Sequence, residues 1–349
     1  MNLCLISNTS SSPSNSLIAD WRKLTPSQPA VWRSILRKNF TDWKKLATYL
    51  ELDEIQQLAI LPKSAFPLNL PMRLAQKIEK GTLNDPILRQ FLPTIQETEL
   101  TPDFVTDPVD DQAFRRETKL LHKYEGRVLL VCTSACAMHC RYCFRQNFDY
   151  DVSNKVFEKE IALIAEDRSI HEVILSGGDP LSLSNETLGT LFDALAQIPH
   201  LKRLRIHTRF PIGIPERIDA GFLALFEKSP LQCFLVIHVN HVNELDDEIL
   251  AHLKALQKKG VVILNQSVLL KGVNDEGKTL KTLCEKLVDN GILPYYLHQL
   301  DKVQGAGHFE VLEEQGTFLI AEIAKTLPGY AVPKYVREIP GKESKTAIF

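Results

Sequence analysis

Ten residues, Cys136 to Arg145, carry the densest chemistry of the chain: CAMHCRYCFR. Three cysteines stand at C-x3-C-x2-C, and no fourth follows nearby. Thiolates ligate zinc or iron–sulfur clusters, and a structural zinc site takes four ligands. A zinc reading needs His139 or a distant histidine as the fourth ligand. Adjacent His139 and Cys140 do not easily chelate one tetrahedral ion together. A four-iron cubane offers another solution: three cysteines hold three irons, and the fourth stays open as a catalytic metal does. An open iron binds a small molecule through an amine and a carboxylate.

The elements that position this loop emerge from a change of pattern near residue 126. Residues 1–16, MNLCLISNTSSSPSNS, are polar and Ser-rich, and read as a disordered leader. They lack the charged start and apolar core of a secretion signal. Residues 17–118 read as a helical region. PAVWRSILRKNF and TDWKKLATYLEL have helical apolar spacing, PMRLAQKIEKG runs from Pro71 to Gly81, and DPILRQFLP is a further short helix. TELTPDFVTDPVDDQ is acidic and aperiodic, a linker or wrapping loop.

Beyond it, β-rich runs alternate with helical ones: RVLLVCT, HEVILSG, LKRLRIHT, LQCFLVIHV, GVVILNQSV and LPYYLHQL. Between two of them, Leu188, Leu191, Phe192 and Leu195 mark one helix face, with Ser184 placed as its cap. Leu280, Leu283 and Leu287 mark another, and Gly260 and Gly291 follow helices. Near-continuous apolar strands are covered on both faces, and repeated β/α units imply parallel strands with right-handed crossovers. The expectation is an α/β fold, a partial (β/α)6 TIM-like barrel over residues 119–335. The helical extension precedes it and a C-terminal segment, 336–349, follows.

In such folds chemistry sits at the C-terminal strand ends. Here those ends carry the cysteine loop, SGGDP (Ser176 to Pro180), HTRFP with His207 and Arg209, HVNHVNE, NQS, and HQLD with Asp301. Singly, each reads as a satisfied cap or turn residue; six together at the predicted functional face point to a site.

The chain has 349 residues and a net charge of -2, which excludes nucleic-acid binding by bulk electrostatics. No apolar run approaches about 18 residues, the length of a membrane span. The expected compartment is the cytoplasm, where cysteines serve metals or lie buried as thiols. Cys132, Cys233 and Cys284 fall in apolar patterns and read as buried small hydrophobes.

C-x3-C-x-aromatic-C after the first strand of a β/α barrel resembles the radical S-adenosylmethionine (SAM) enzymes. The resemblance implies a 4Fe–4S cluster on Cys136, Cys140 and Cys143, whose open iron chelates SAM. Cleavage of SAM then yields the radical that takes hydrogen from substrate. Tyr142 matches the aromatic position beside the adenine. Gly177, Gly178 and Asp179 match the segment whose backbone receives the SAM amino group. Glycine suits a close backbone approach to a ligand.

YCFR, SGGDPL, NQSVLL, PYYLHQLD, GHF and GYAVPK…SKT together resemble the lysine 2,3-aminomutase family. LLHKY, RLRIH, PYYLH and LDKVQGAGHF resemble the branch that makes (R)-β-lysine for modifying elongation factor P. The likeness spans roughly residues 60 to 349. It implies pyridoxal phosphate (PLP) anchored on Lys345, with Lys342 the nearby competitor. Without the resemblance, a lysine four residues from the terminus reads as a frayed surface residue.

It also implies that Arg145 pairs with the substrate carboxylate, as a guanidinium fork suits. Asp301 and Glu338 would grip a lysine ε-ammonium, Glu338 standing where the best-known members have aspartate. Arg209 and Gln266 would contact the PLP phosphate or ring. Lys123 would do so more weakly, since the family often has arginine there. His238 and His241 line the pocket or are satisfied core histidines.

PLP chemistry needs a free α-amine, so the implied substrate is free lysine. The implied partners are a flavodoxin- or ferredoxin-type electron donor and a separate ligase acting on elongation factor P. Two other classes stay open: a radical SAM enzyme without PLP, and a non-catalytic zinc or iron–sulfur interaction module. Absorbance of lysine-bound PLP separates the first; four iron and four sulfide against one zinc separates the second.

Overall fold

A computed structural model describes residues 30–150, 154, 156–227 and 229–349. The leader, Cys4 and the start of the helical region lie outside the described residues. Ten strands form one sheet in chain order: β1 (Arg115–Glu117), β2 (Leu120–Tyr124), β3 (Arg127–Thr133), β4 (Glu172–Gly177), β5 (Arg203–Thr208), β6 (Gln232–Ile237), β7 (Val262–Val268), β8 (Leu293–His298), β9 (Lys334–Arg337) and β10 (Thr346–Ala347). Strands β3 to β9 are parallel, each paired with the next. The β1–β2–β3 arm and the β9–β10 pair are antiparallel.

The α/β class stands, but the hydrogen bonding differs from a six-strand barrel. It defines a mixed ten-stranded sheet whose seven parallel strands are flanked by short antiparallel arms. Strands β1, β2, β9 and β10 are not among the sequence expectations, because two to five residues show no period. All six expected strands are present. The sheet also curls: Lys123 and Tyr124, in β2, contact Glu338, the residue after β9, so its two ends meet.

Sequential order with right-handed crossovers carries the connecting helices across one face of the sheet. There β5 buries Leu204, Ile206 and Thr208 in alternation, and Leu204 and Ile206 join the core that the helix Asn185–Ala196 also shares. That helix buries Leu188, Leu191, Phe192 and Leu195, and Ser184 accepts the Thr187 N–H at its start. The helix Gly277–Asp289 buries Leu280, Leu283 and Leu287. Cys132, Cys233 and Cys284 are buried.

The N-terminal region is built of short helices, Val31–Leu36, Trp43–Tyr49, Met72–Ala75 and Pro86–Arg89. The third ends well before Gly81, so the Pro71-to-Gly81 expectation is too long. These helices share the main hydrophobic core: Trp32, Leu46, Leu74 and Phe91 cluster with Phe210 and Leu235.

Candidate active site

The cysteine loop follows β3 and is tied down mostly by backbone groups of the helical region. His139 N–H donates to Asn69 O at 3.0 Å, and Arg141 N–H to Gln90 O at 2.9 Å. Asn39 Nδ2 reaches Ala137 O at 2.7 Å, and Asn69 Nδ2 reaches Cys136 O at 3.3 Å. Arg141 is buried, paired with Glu97 and donating to Phe66 O at 2.6 Å. The region first read as an appended extension is thus the mould of the loop.

Cys136, Cys140 and Cys143 lie in one another's fields. Burial, then Cys140, pushes the Cys143 thiol up to about 11; burial, Asp179 and the other two thiols push Cys136 up strongly. Three neighbouring, partly buried thiolates repel, and a multivalent cation relieves that repulsion. His139 is engaged elsewhere, its Nδ1 2.8 Å from Pro67 O and its ring stacked on Phe66. Among the described residues, no three Cys, His, Asp or Glu side chains converge to hold one ion. Three soft sulfurs on one loop, without a fourth, fit a cluster with an open iron.

Gly177 and Gly178 meet this loop rather than an open space. A Cβ on Gly178 would stand 2.5 Å from Ala135 O, and one on Gly177 2.7 Å from Thr133 O. Gly178 N–H donates to Thr133 O at 2.6 Å. The glycines therefore serve a close backbone-to-backbone approach, which sets this segment against the cysteine loop. Asp179 braces the segment with its side chain: its buried carboxylate accepts from Leu181 N, Thr208 Oγ1, Arg209 N and Phe210 N. Tyr142 is buried beside Phe309, and its hydroxyl accepts from Arg209 at 2.6 Å and Asn240 at 2.7 Å.

A second group of residues gathers at the far edge. Gly341, at φ +77°, turns the chain so that β10 folds back on β9, pairing Thr346 with Arg337. Ile348 N–H donates to Tyr335 O at 3.0 Å, so the terminus is bonded into the sheet. This turn brings Lys345 Nζ to 2.7 Å from Glu338 Oε2. Glu338 Oε1 receives Lys123 Nζ at 2.7 Å and the Tyr124 hydroxyl. Burial would raise the Glu338 carboxyl, but Lys345, Lys123 and Tyr124 outweigh it and hold it at about 2. Lys342 forms the turn, its N–H donating to Ile339 O at 3.2 Å.

Asp301 faces the same group. Burial pushes its carboxyl up to about 6, Lys345 pulling it down while Glu338 pushes it up. Arg145 is buried; Nε donates to Asp111 Oδ2 at 2.7 Å and Nη1 to Ser176 Oγ at 3.3 Å. Among the described residues, Arg145 Nη2 has no hydrogen-bond partner, so one arm of the fork is open. Asp111 belongs to the stretch read as a linker; a contact 34 positions away leaves no local signal.

The sheet face opposite Leu204 and Ile206 carries polar groups. Gln266 Oε1, His207 Nε2, His298 Nε2 and Arg205 Nε are buried without partners. His207 and His238 stack edge-on at 5.8 Å, and burial lowers both imidazoles, His238 to about 4. His207 and His298 both feel Lys345. Such orphaned donors and acceptors beside a lysine amine fit a polar, anionic aromatic cofactor. Arg205 was legible: RLRIHT alternates polar and apolar residues. His241 is outside this set, its Nδ1 accepting Asn243 N–H in a local cap.

Arg209 is not with Lys345. Its Nη1 is 2.8 Å from Cys140 Sγ, and its Nη2 pairs with Glu244 at 2.6 Å. The expectation that it contacts PLP is corrected: a strand-end position fixes where an arginine starts, while its long side chain here runs to the cysteine loop.

Comparison with known proteins follows the same division. A family model described as a 4Fe-4S single cluster domain matches residues 124–206. The L-lysine 2,3-aminomutase of Haemophilus influenzae is 42% identical over 335 residues, 93% of this chain and 98% of that protein. The protein of that name from Escherichia coli is 41% identical, over 93% of this chain and 96% of its own. The one from Clostridium subterminale is 33% identical, over 95% of this chain and 78% of its own.

Proposed function

The chain belongs to the L-lysine 2,3-aminomutase family, and on that premise we propose that it converts free L-lysine to β-lysine with a 4Fe–4S cluster, SAM and PLP. The observation that carries the reading is the convergence of Lys345, Glu338, Lys123 and Asp301 at one edge, with Arg145 opposite. Two acids beside an amine suit a substrate that brings its own side-chain cation.

When bound, the cluster and SAM supply radical initiation and PLP supplies the carbonyl group that carries the migrating nitrogen. The residues of the chain supply the rest. Cys136, Cys140 and Cys143 hold the cluster, with Tyr142 and the Gly177–Asp179 segment shaping the SAM side. Lys345 anchors PLP, while Gln266, His207 and Arg205 offer it polar contacts. Arg145 holds the α-carboxylate through its open arm. Asp301 and Glu338 receive the ε-ammonium, and the longer Glu338 reaches across to Lys123. Lys123, paired with Glu338, would offer its ammonium to the cofactor's phosphate.

The finer assignments rest on the resemblance of the motifs. They are the R product, its use by a ligase on elongation factor P, and a flavodoxin- or ferredoxin-type donor in the cytoplasm. The curling of a sheet with seven sequential parallel strands supports a partial barrel over 119–335. The test is anaerobic: reconstituted protein, SAM, PLP, reductant and labelled free lysine should give β-lysine. Formation of 5′-deoxyadenosine without β-lysine sinks the aminomutase reading and leaves a radical SAM enzyme.

A further inference from the structure

Arg209 has no part at the Lys345 edge, yet it is a buried cation with four of its five donors used. Nη1 donates to Cys140 Sγ at 2.8 Å and to the Tyr142 hydroxyl at 2.6 Å. Nη2 donates to Gln90 Oε1 and to Glu244 Oε2, both at 2.6 Å. The guanidinium lies over Phe91 at 4.7 Å. Its own backbone N–H is held by Asp179 at 2.8 Å, which fixes where the side chain starts. Glu244 is fully buried, and its other oxygen accepts from the N–H groups of Asn240 and His241.

We propose that the Arg209–Glu244 pair sets the reduction potential of the cluster held by Cys140. The proposal rests on the reading that Cys136, Cys140 and Cys143 hold a 4Fe–4S cluster. Potentials of such clusters depend on net charge, on hydrogen bonds to the sulfurs and on exposure. On reduction, one electron from a low-potential donor enters the cluster, and no bond need break or proton move. Negative charge on the cysteine sulfurs grows. A donor and fixed cation at Cys140 stabilise the reduced state more than the oxidised one, so Arg209 raises the potential. Glu244 is an anion behind that cation, in low dielectric, and lowers it. Arg209 is then a positioning residue acting through Cys140.

The two members have opposite signs, which a merely structural role would not reproduce. The experiment is an electron-paramagnetic-resonance titration with dithionite on the full-length reconstituted protein, without SAM, alongside iron and sulfide analysis. Arg209→Met should make reduction about tenfold harder, a fall of about 59 mV for one electron. Glu244→Gln should raise the potential, and Arg209→Lys should fall between Arg209→Met and the unaltered protein. Unchanged potentials in variants with full iron content overturn the proposal, as do shifts of both in one direction. Should Arg209→Met not retain its iron, Glu244→Gln decides alone: a rise supports the proposal, no change or a fall overturns it. Absence of four irons in the unaltered protein would instead overturn the cluster reading, and the proposal with it.

Discussion

Arg145 and Asp111 form a buried ion pair, Nε to Oδ2 at 2.7 Å, with side chains 8% and 9% exposed. Removing one partner of a buried pair strands the other charge and costs several kcal/mol. Asp111 thus fixes the guanidinium, and on the proposed reading it leaves the open arm for the substrate carboxylate. Asp111→Asn should raise KM for lysine about tenfold with a smaller change in kcat. Arg145→Ala should lower kcat/KM by on the order of a hundredfold or more. Steady-state kinetics with free lysine checks both, and equal KM in Asp111→Asn and the parent would contradict the first.

Lys345 and Lys342 make a paired test. Lys345 lies against Glu338 in the site, whereas Lys342 shapes the exposed turn before it. Lys345→Ala should lose the visible absorbance of lysine-bound PLP and all β-lysine formation. Lys342→Ala should keep both, and borohydride reduction followed by peptide mass spectrometry should mark residue 345. Labelling at 342 would refute the assignment.

Acid dependence follows from the two carboxyls. Burial holds Asp301 at about 6, while its cationic partners hold Glu338 at about 2. Gripping an ammonium needs the ionised form. As pH falls through about 6, KM for lysine should rise with one inflection, and Asp301→Asn should remove it. Stability runs the other way. Asp301 titrates higher folded than its ordinary 3.8, so the folded state binds more protons in that window and loses stability as pH rises from 3.8 to 6. Asp301→Asn should therefore raise Tm at pH 7.5 and leave it nearly unchanged near pH 3. A lower Tm at pH 7.5 would contradict this.

Gly178 tests the packing of the cysteine loop. An added Cβ would meet Ala135 O at 2.5 Å and Ser134 C at 2.7 Å, both backbone. Gly178→Ala should displace the loop and cut iron content well below four per chain. Gly329→Ala, with nothing within 4 Å, is the control and should retain it. Equal iron in the two would show that the loop yields freely.

Legibility divided along range. Periodicity over 6 to 13 residues revealed the six long strands and helices such as Asn185–Ala196. Cap chemistry placed Ser184 correctly. The three cysteines announced themselves by spacing, because ligands of one cluster on one loop are a local fact. Lys345 was legible only through family likeness; its place beside Glu338 depends on a hairpin of a few residues. Asp111 and Gln90 act through contacts 34 and 119 positions away, and no window of sequence contains both partners. Arg209 was placed at the right strand end but given the wrong neighbour, since sequence does not orient a long side chain.

The cysteine loop is bonded to the helical region through carbonyls and N–H groups of Asn69, Ala137, Gln90 and Pro67, none of which involves a thiol. The cradle therefore does not depend on its mineral content. Oxygen that strips the iron would leave an empty mould, with far-UV circular dichroism unchanged, and a spoiled molecule would need refilling in place of refolding.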